Sequence, residues 1–126
     1  MISFTMRDGA RLSGEVAGDG ATLVLVSGLG GTGSFWVPMV AALDGAVRTV
    51  RFDQRGIGTS ERGTVPVSTT TLAEDVWEIV DVLGGGAPVL CGHSTGGAIV
   101  EEMALMRPGA AAGLILSGTW AGPDPF

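Results

Sequence analysis

The sequence predicts an α/β protein built on a doubly wound, mostly parallel sheet with an antiparallel hairpin at its N-terminal edge. Three observations predict it. From residue 22 onward, short continuous apolar runs alternate with amphipathic stretches of helical period, as strands covered on both faces and their crossover helices do. Ahead of them, two half-polar runs flank Asp8-Gly9, a hairpin signal. Hydrophobic residues make up 45% of the 126 positions against 16% charged, and the 22 glycines follow no collagen or linker pattern, so the chain can bury a core and turn tightly between elements.

The elements follow in order. Ile2 to Met6 and Leu12 to Val16 are the two arms of the hairpin. Thr22 to Val26 is a continuous apolar strand that runs into Ser27-Gly28-Leu29-Gly30-Gly31-Thr32-Gly33 and then a helix. In that helix Phe35, Trp36, Met39, Val40 and Leu43 fall on one face, with Pro38 near the first turn, where a missing N–H is tolerated. Val47 to Phe52 is the next strand, and Asp53 to Ser60 is a loop in which Arg55 is expected to pair with Asp53 or a neighbouring loop in solvent.

Thr71-Leu72-Ala73-Glu74 has capping-box spacing. It opens a helix whose stripe of Leu72, Val76, Ile79, Val80 and Leu83 is buried opposite Glu74, Asp75, Glu78 and Asp81, and Gly84-Gly85-Gly86 stops it. Pro88 to Cys91 is a short buried strand, Gly92 to Gly97 a sharp turn, and Ala98 to Arg107 a helix ended by Pro108-Gly109. Gly113 to Leu116 is the last strand. Residues 1–126 read as one domain, without internal repeat or linker.

Seven basic against thirteen acidic residues give a net charge of −6, which argues against nucleic acid and anionic membranes as partners. The single cysteine, Cys91, excludes an internal disulfide, and no apolar run reaches the ~18 residues that span a bilayer. The start lacks a charged region followed by an apolar stretch, so a cytoplasmic protein is expected.

Gly92-His93-Ser94-Thr95-Gly96-Gly97 matches G-x-S-x-G, and a strand enters it directly while a helix leaves it directly. A serine at such a bend takes strained backbone angles and stands clear of the sheet, where a substrate can reach it. The helix beginning near Thr95 aims free N–H groups and its positive end at the same place, so the Thr95 N–H is expected as one donor to a carbonyl oxygen that becomes negative. The second donor is expected from the turn after an earlier strand, at the Leu29 N–H, where flanking glycines allow close approach.

Ser27-Gly28-Leu29-Gly30-Gly31, Asp53-Gln54-Arg55-Gly56-Ile57-Gly58-Thr59-Ser60 and Gly92-His93-Ser94-Thr95-Gly96-Gly97, in this order, resemble the α/β-hydrolase superfamily. The nearest-looking members are the cofactor-free esterases, enol-lactonases and non-haem haloperoxidases. The resemblance covers essentially the whole chain and the family's first six strands. Where the family usually has His-Gly before the oxyanion turn, this chain has Ser27-Gly28. The resemblance implies a serine hydrolase acting on an ester, lactone or related carbonyl substrate through an acyl-enzyme, with Ser94 as nucleophile, Leu29 and Thr95 as backbone oxyanion donors, and no metal or cofactor.

A serine hydroxyl needs a base, and in the family that base is a histidine oriented by an acid, both later in the chain than the serine. The only histidine here, His93, adjoins Ser94 at the bend and points away from its hydroxyl, so it is expected to pack or line a pocket. Asp124 stands between prolines and is expected to be a solvated loop acid. Trp36, Met39 and Trp120 are expected in the core rather than on a pocket wall.

The chain therefore reads as an incomplete core, without the lid, acid and histidine segments, and its last strand is expected to lie at an edge with one side unpaired. A complementary C-terminal polypeptide is the expected partner. Two alternatives stay open. Gly28-Leu29-Gly30-Gly31-Thr32-Gly33 is also G-x-G-x-x-G, with Asp53 20 residues beyond Gly33 where a ribose-binding acid of an NAD(P)-dependent oxidoreductase belongs. A hydrolase scaffold can also serve as a non-catalytic binding protein.

Overall fold

The structure, a computed structural model, describes residues 1–120. Its strands are β1 (Ile2–Thr5), β2 (Arg11–Ala17), β3 (Thr22–Val26), β4 (Arg48–Phe52), β5 (Val89–His93) and β6 (Gly113–Ser117). Its helices are α1 (Val37–Leu43), which follows a 3-10 turn (Gly33–Trp36), α2 (Thr69–Leu83) and α3 (Thr95–Met106). The six strands form one sheet in the order β1-β2-β4-β3-β5-β6. β3, β4, β5 and β6 are mutually parallel, and the β1–β2 hairpin joins antiparallel beside β4. This is the predicted fold class.

Side chains alternate across a strand, so each parallel strand serves both faces of the sheet. Val24, Val26, Val50, Phe52 and Leu90 face α2 and α3, where Leu72, Val76, Ile79, Ile99, Val100 and Met103 close the main core. Each fully buried side chain of this kind contributes about 1.5–3 kcal/mol. Leu25 and Cys91 face the other way and meet Trp36 in a smaller cluster. Burial pushes the Cys91 thiol up, so it is held as the neutral thiol.

Several expectations change at the element ends. The capping box of α2 is formed by Ser68 and Thr71, three residues earlier than Thr71-Glu74. Thr71 N–H donates to Ser68 Oγ at 3.1 Å and Ser68 N–H donates to Thr71 Oγ1 at 2.8 Å. Phe35 and Trp36 belong to the 3-10 turn, and α1 buries none of its own residues. Trp36 is buried, but Met39 and Trp120 are 39% and 45% exposed and do not pack in the core.

Asp75, expected on the solvated face of α2, is fully buried. It holds Arg55 through Nε at 2.9 Å and Nη2 at 2.8 Å, and Arg55 Nη1 reaches Asp8 Oδ2 at 2.7 Å. Arg55 is thus buried against acids from the hairpin turn and α2, and it pairs with neither Asp53 nor solvent. Its hydrogen bond holds the Asp8 carboxyl far below the usual carboxylate range, against the effect of burial and with help from the Thr64, Val65 and Ala10 amides.

β6 ends the strand order and, among the described residues, pairs only with β5. Leu114, Ile115 and Leu116 are 40%, 49% and 45% exposed there, as expected for an apolar edge strand. Asp124 lies outside the described residues. Among the described residues no helix is long and apolar enough to cross a membrane.

Candidate active site

In a parallel sheet all strand-to-helix loops leave from the carboxyl edge. A crevice opens where successive connections run in opposite directions. Here that point lies between β3 and β5: the chain leaves β3 toward β4 on one side, and β5 returns on the other. The loops at this crevice begin at Ser27 and at Ser94.

β5 ends at His93 and α3 begins at Thr95, so Ser94 alone makes the turn. Its φ of 57° and ψ of −122° lie outside the regions that L-residues prefer, a conformation that costs about 1–3 kcal/mol and persists only where the surroundings impose it. The surroundings are identifiable. Ser94 N–H donates to Ser117 O at 2.9 Å, and Ser94 O accepts from Gly97 N–H at 2.9 Å.

Close packing of α3 on β3 completes the constraint: a Cβ at Gly96 would stand 2.1 Å from Val26 O. Only glycine lets the first helical turn come this near the strand. The Ser94 side chain is half-buried rather than sealed. Among the described residues no side chain caps α3 and no acid lies in its first turn, so the positive end of the helix is left for another negative charge.

The loop after β3 stands against this bend. A Cβ at Gly28 would lie 3.3 Å from Ser94 Cβ and 3.6 Å from the Thr95 nitrogen, so the Gly28-Leu29 peptide enters beside the Thr95 N–H. Gly31 N–H closes the turn on Gly28 O at 3.0 Å, and Leu29 is 67% exposed. Among the described residues neither the Leu29 nor the Thr95 N–H donates to a protein acceptor. The structure therefore sets Gly28, the residue before Leu29, against Ser94 and Thr95. An alcohol beside two unengaged amides and a helix N-terminus is an arrangement able to stabilise an oxyanion on a carbonyl under attack.

His93 is turned elsewhere. Its ring stacks on Phe35 with centroids 5.0 Å apart and planes 21° apart, and Nδ1 lies 3.3 Å from Ser117 Oγ. It lines a cavity of about 440 Å³ with Phe35, Trp36, Met39, Cys91 and Ser117 on the α1 face of the sheet. The chain's single histidine thus lines a pocket, as read from the sequence, and does not meet the Ser94 hydroxyl.

Three residues around the crevice were not assigned these roles from the sequence. Ser27 Oγ accepts the Trp36 indole N–H at 2.9 Å and donates to Thr32 O at 3.1 Å, so its hydroxyl braces the loop. Gln54 is buried and donates to Ser27 O at 3.3 Å, while its Oε1 has no partner among the described residues. Asp53 Oδ1 accepts the Gly33 N–H at 2.8 Å, and Oδ2 accepts from Thr59 N–H at 3.1 Å and Thr59 Oγ1 at 3.3 Å. The 20-residue spacing from Gly33 to Asp53 is closed by a hydrogen bond within the chain. The acid that would have faced a ribose is already engaged by its own loops, against the dinucleotide alternative. Among the described residues no three His, Cys, Asp or Glu side chains are grouped to hold a metal ion.

Comparison with known proteins agrees with this fold. The family model for the alpha/beta hydrolase fold matches residues 21–126. A Rhizobium rhizogenes protein named as the carbamate hydrolase RutD is 40% identical over 109 residues, which are 85% of this chain and 41% of the relative. A hydrolase from Pseudomonas aeruginosa superposes with a TM-score of 0.87 at 32% identity, covering 97% of this chain and 48% of that one. A thermophilic esterase from Thermogutta terrifontis superposes with a TM-score of 0.88 at 30% identity, covering 98% and 47%. The chain thus spans about two fifths of the curated relative's length and under half of each solved structure.

Proposed function

Because this chain belongs to the α/β-hydrolase fold family, we propose that it supplies the nucleophile and oxyanion site of a serine hydrolase acting on an ester, lactone or related carbonyl compound. The observation that carries the reading is the isolated, strained Ser94 between β5 and α3, with the Gly28-Leu29 peptide packed against it. The relatives named as a carbamate hydrolase and an esterase fit the same chemistry, attack on an acyl carbon.

In this mechanism Ser94 Oγ adds to the carbonyl carbon as its proton passes to a base. The tetrahedral oxyanion is held by the Leu29 and Thr95 N–H groups and faces the positive end of α3. Collapse expels the alcohol, which takes the proton back from the base, and leaves an acyl-serine. Water, deprotonated by the same base, then adds to the acyl carbon and releases the acid and Ser94.

The base is a histidine outside these 126 residues, since His93 is committed to Phe35 and Ser117. We assign that histidine and its orienting acid to a complementary C-terminal polypeptide that pairs with the open edge of β6. The exposed apolar row Leu114 to Leu116 supports pairing at this edge. With that polypeptide present, hydrolysis of a short p-nitrophenyl ester is expected. Ser94→Ala should lower kcat by a factor on the order of 10⁴–10⁶. Turnover that survives Ser94→Ala refutes the assignment, and no turnover in the completed protein favours a binding role.

A further inference from the structure

The turn expected to carry the Leu29 donor has little stiffness of its own. Four of its seven residues are glycine, Gly28, Gly30, Gly31 and Gly33, and a single backbone hydrogen bond closes it. Its shape must therefore be fixed from its ends. Ser27 Oγ braces the entry through Trp36 and Thr32. The exit is held by the Asp53 carboxylate, which takes the Gly33 N–H on one oxygen and Thr59 on the other.

Asp53 is itself fixed in place. Its N–H donates to Ser13 O at 2.9 Å, and its carbonyl accepts from Ser60 Oγ at 2.7 Å. The carboxylate also packs close to Gly58, where a Cβ would stand 2.3 Å from Oδ2 and only glycine leaves it space. One acid at the end of β4 thus ties the exit of the turn to β2 and to the loop that follows β4.

We propose that Asp53 is a positioning residue for the acyl-transfer site. By anchoring Gly33 it sets the direction of the Leu29 N–H relative to Ser94. The proposal rests on the reading of Leu29 and Thr95 as oxyanion donors. Asp53 touches no reacting atom, and both its oxygens must accept. Asparagine keeps the size but presents an NH₂ to one of the two amides, so one end of the anchor is lost.

The test is Asp53→Asn in the completed, active protein, with amide hydrogen exchange measured on the same samples. A donor displaced by about 1 Å costs about 10²-fold, so kcat should fall by about that factor while KM stays within about threefold. Exchange of the amides in residues 28–33 should rise at least about tenfold, with those of α3 unchanged. Asp75→Asn, which breaks the Arg55 ion pair behind the same loop, separates positioning from general stability. It should lower Tm more than Asp53→Asn does, yet leave kcat within about threefold.

Unaltered exchange in the turn, or a wild-type kcat in Asp53→Asn, overturns the proposal. A wild-type protein without Ser94-dependent turnover overturns the functional reading instead, and the exchange comparison then still decides whether Asp53 holds the turn.

Discussion

Replacing Gly96 with alanine sets two effects of opposite sign against each other. Gly96 lies in the first turn of α3, where alanine gains about 1 kcal/mol in helix propensity over glycine. The added Cβ would stand 2.1 Å from Val26 O and 2.8 Å from Ser27 O. A carbon and a carbonyl oxygen approach to about 3.3 Å, so the shortfall against Val26 is about 1.2 Å. Val26 is the last residue of a central strand and cannot yield alone, so α3 must lift from the sheet.

Overpacking of this kind costs about 1–3 kcal/mol, and a clash this deep with backbone sits at the upper end of that range, so against the propensity gain the net loss is about 2 kcal/mol. The consequence for function is larger. Lifting the start of α3 by about 1 Å moves Ser94 and the Thr95 N–H away from the Gly28-Leu29 peptide and should cost about 10²-fold in reaction at Ser94. Chemical denaturation measures the first quantity, and the rate of Ser94 acylation by an activated ester in the completed protein measures the second. A Gly96→Ala protein as reactive as wild type would show that the contact of α3 with β3 does not set the geometry of the bend.

Two further perturbations concern the buried charges behind the site. Asp75→Ala leaves the fully buried Arg55 with Asp8 as its only carboxylate partner among the described residues, and breaking a buried pair costs about 3–5 kcal/mol. In the completed domain, more than twice this length, Tm should fall by about 6–20 °C in a thermal melt. The Asp8 carboxyl is held below its ordinary range by Arg55, and those of Glu61 and Asp81 are lowered by Arg11 and Arg107. A depressed folded-state pKa gives stability that is complete above the unfolded values of about 4 and is lost as the pH falls through the folded ones. Tm should accordingly be flat from about pH 7 to 5 and decline below about 4, and Asp8→Asn should flatten that decline. A Tm that rises on acidification contradicts the ion network.

Local patterns carried the strand order of events well and the long-range partners poorly. Thr22 to Val26 could be bounded from the sequence alone because its apolar run is continuous and turn residues follow at once. At the bend periodicity ended the strand at Cys91 and began the helix at Ala98, while the serine motif put the helix start near Thr95; the strand continues to His93 and the helix does start at Thr95. Glycine propensity misleads there. Gly96 is helical because the packing against Val26 O admits nothing larger, a demand made by a strand 70 residues earlier.

Asp75 fits the acidic face of α2 by periodicity. It is buried because Arg55 and Arg7 reach it from loops that only the folded sheet brings near. The same holds for Asp53, whose spacing from Gly33 resembles a dinucleotide fingerprint until the hydrogen bond between them is seen. Ser94, Leu29 and Thr95 were legible because their signal is local: a serine between a strand and a helix, and a glycine-rich turn after another strand.

The central claim is that the Ser94 hydroxyl is the group that becomes acylated. A fluorophosphonate reacts with such a hydroxyl to give a stable phosphonyl-serine with loss of fluoride, and peptide mapping by mass spectrometry locates the adduct. In the completed protein the account predicts one adduct, on Ser94, absent from Ser94→Ala. An adduct on any other residue, or an unmodified Ser94 in a protein that still hydrolyses esters, would contradict it.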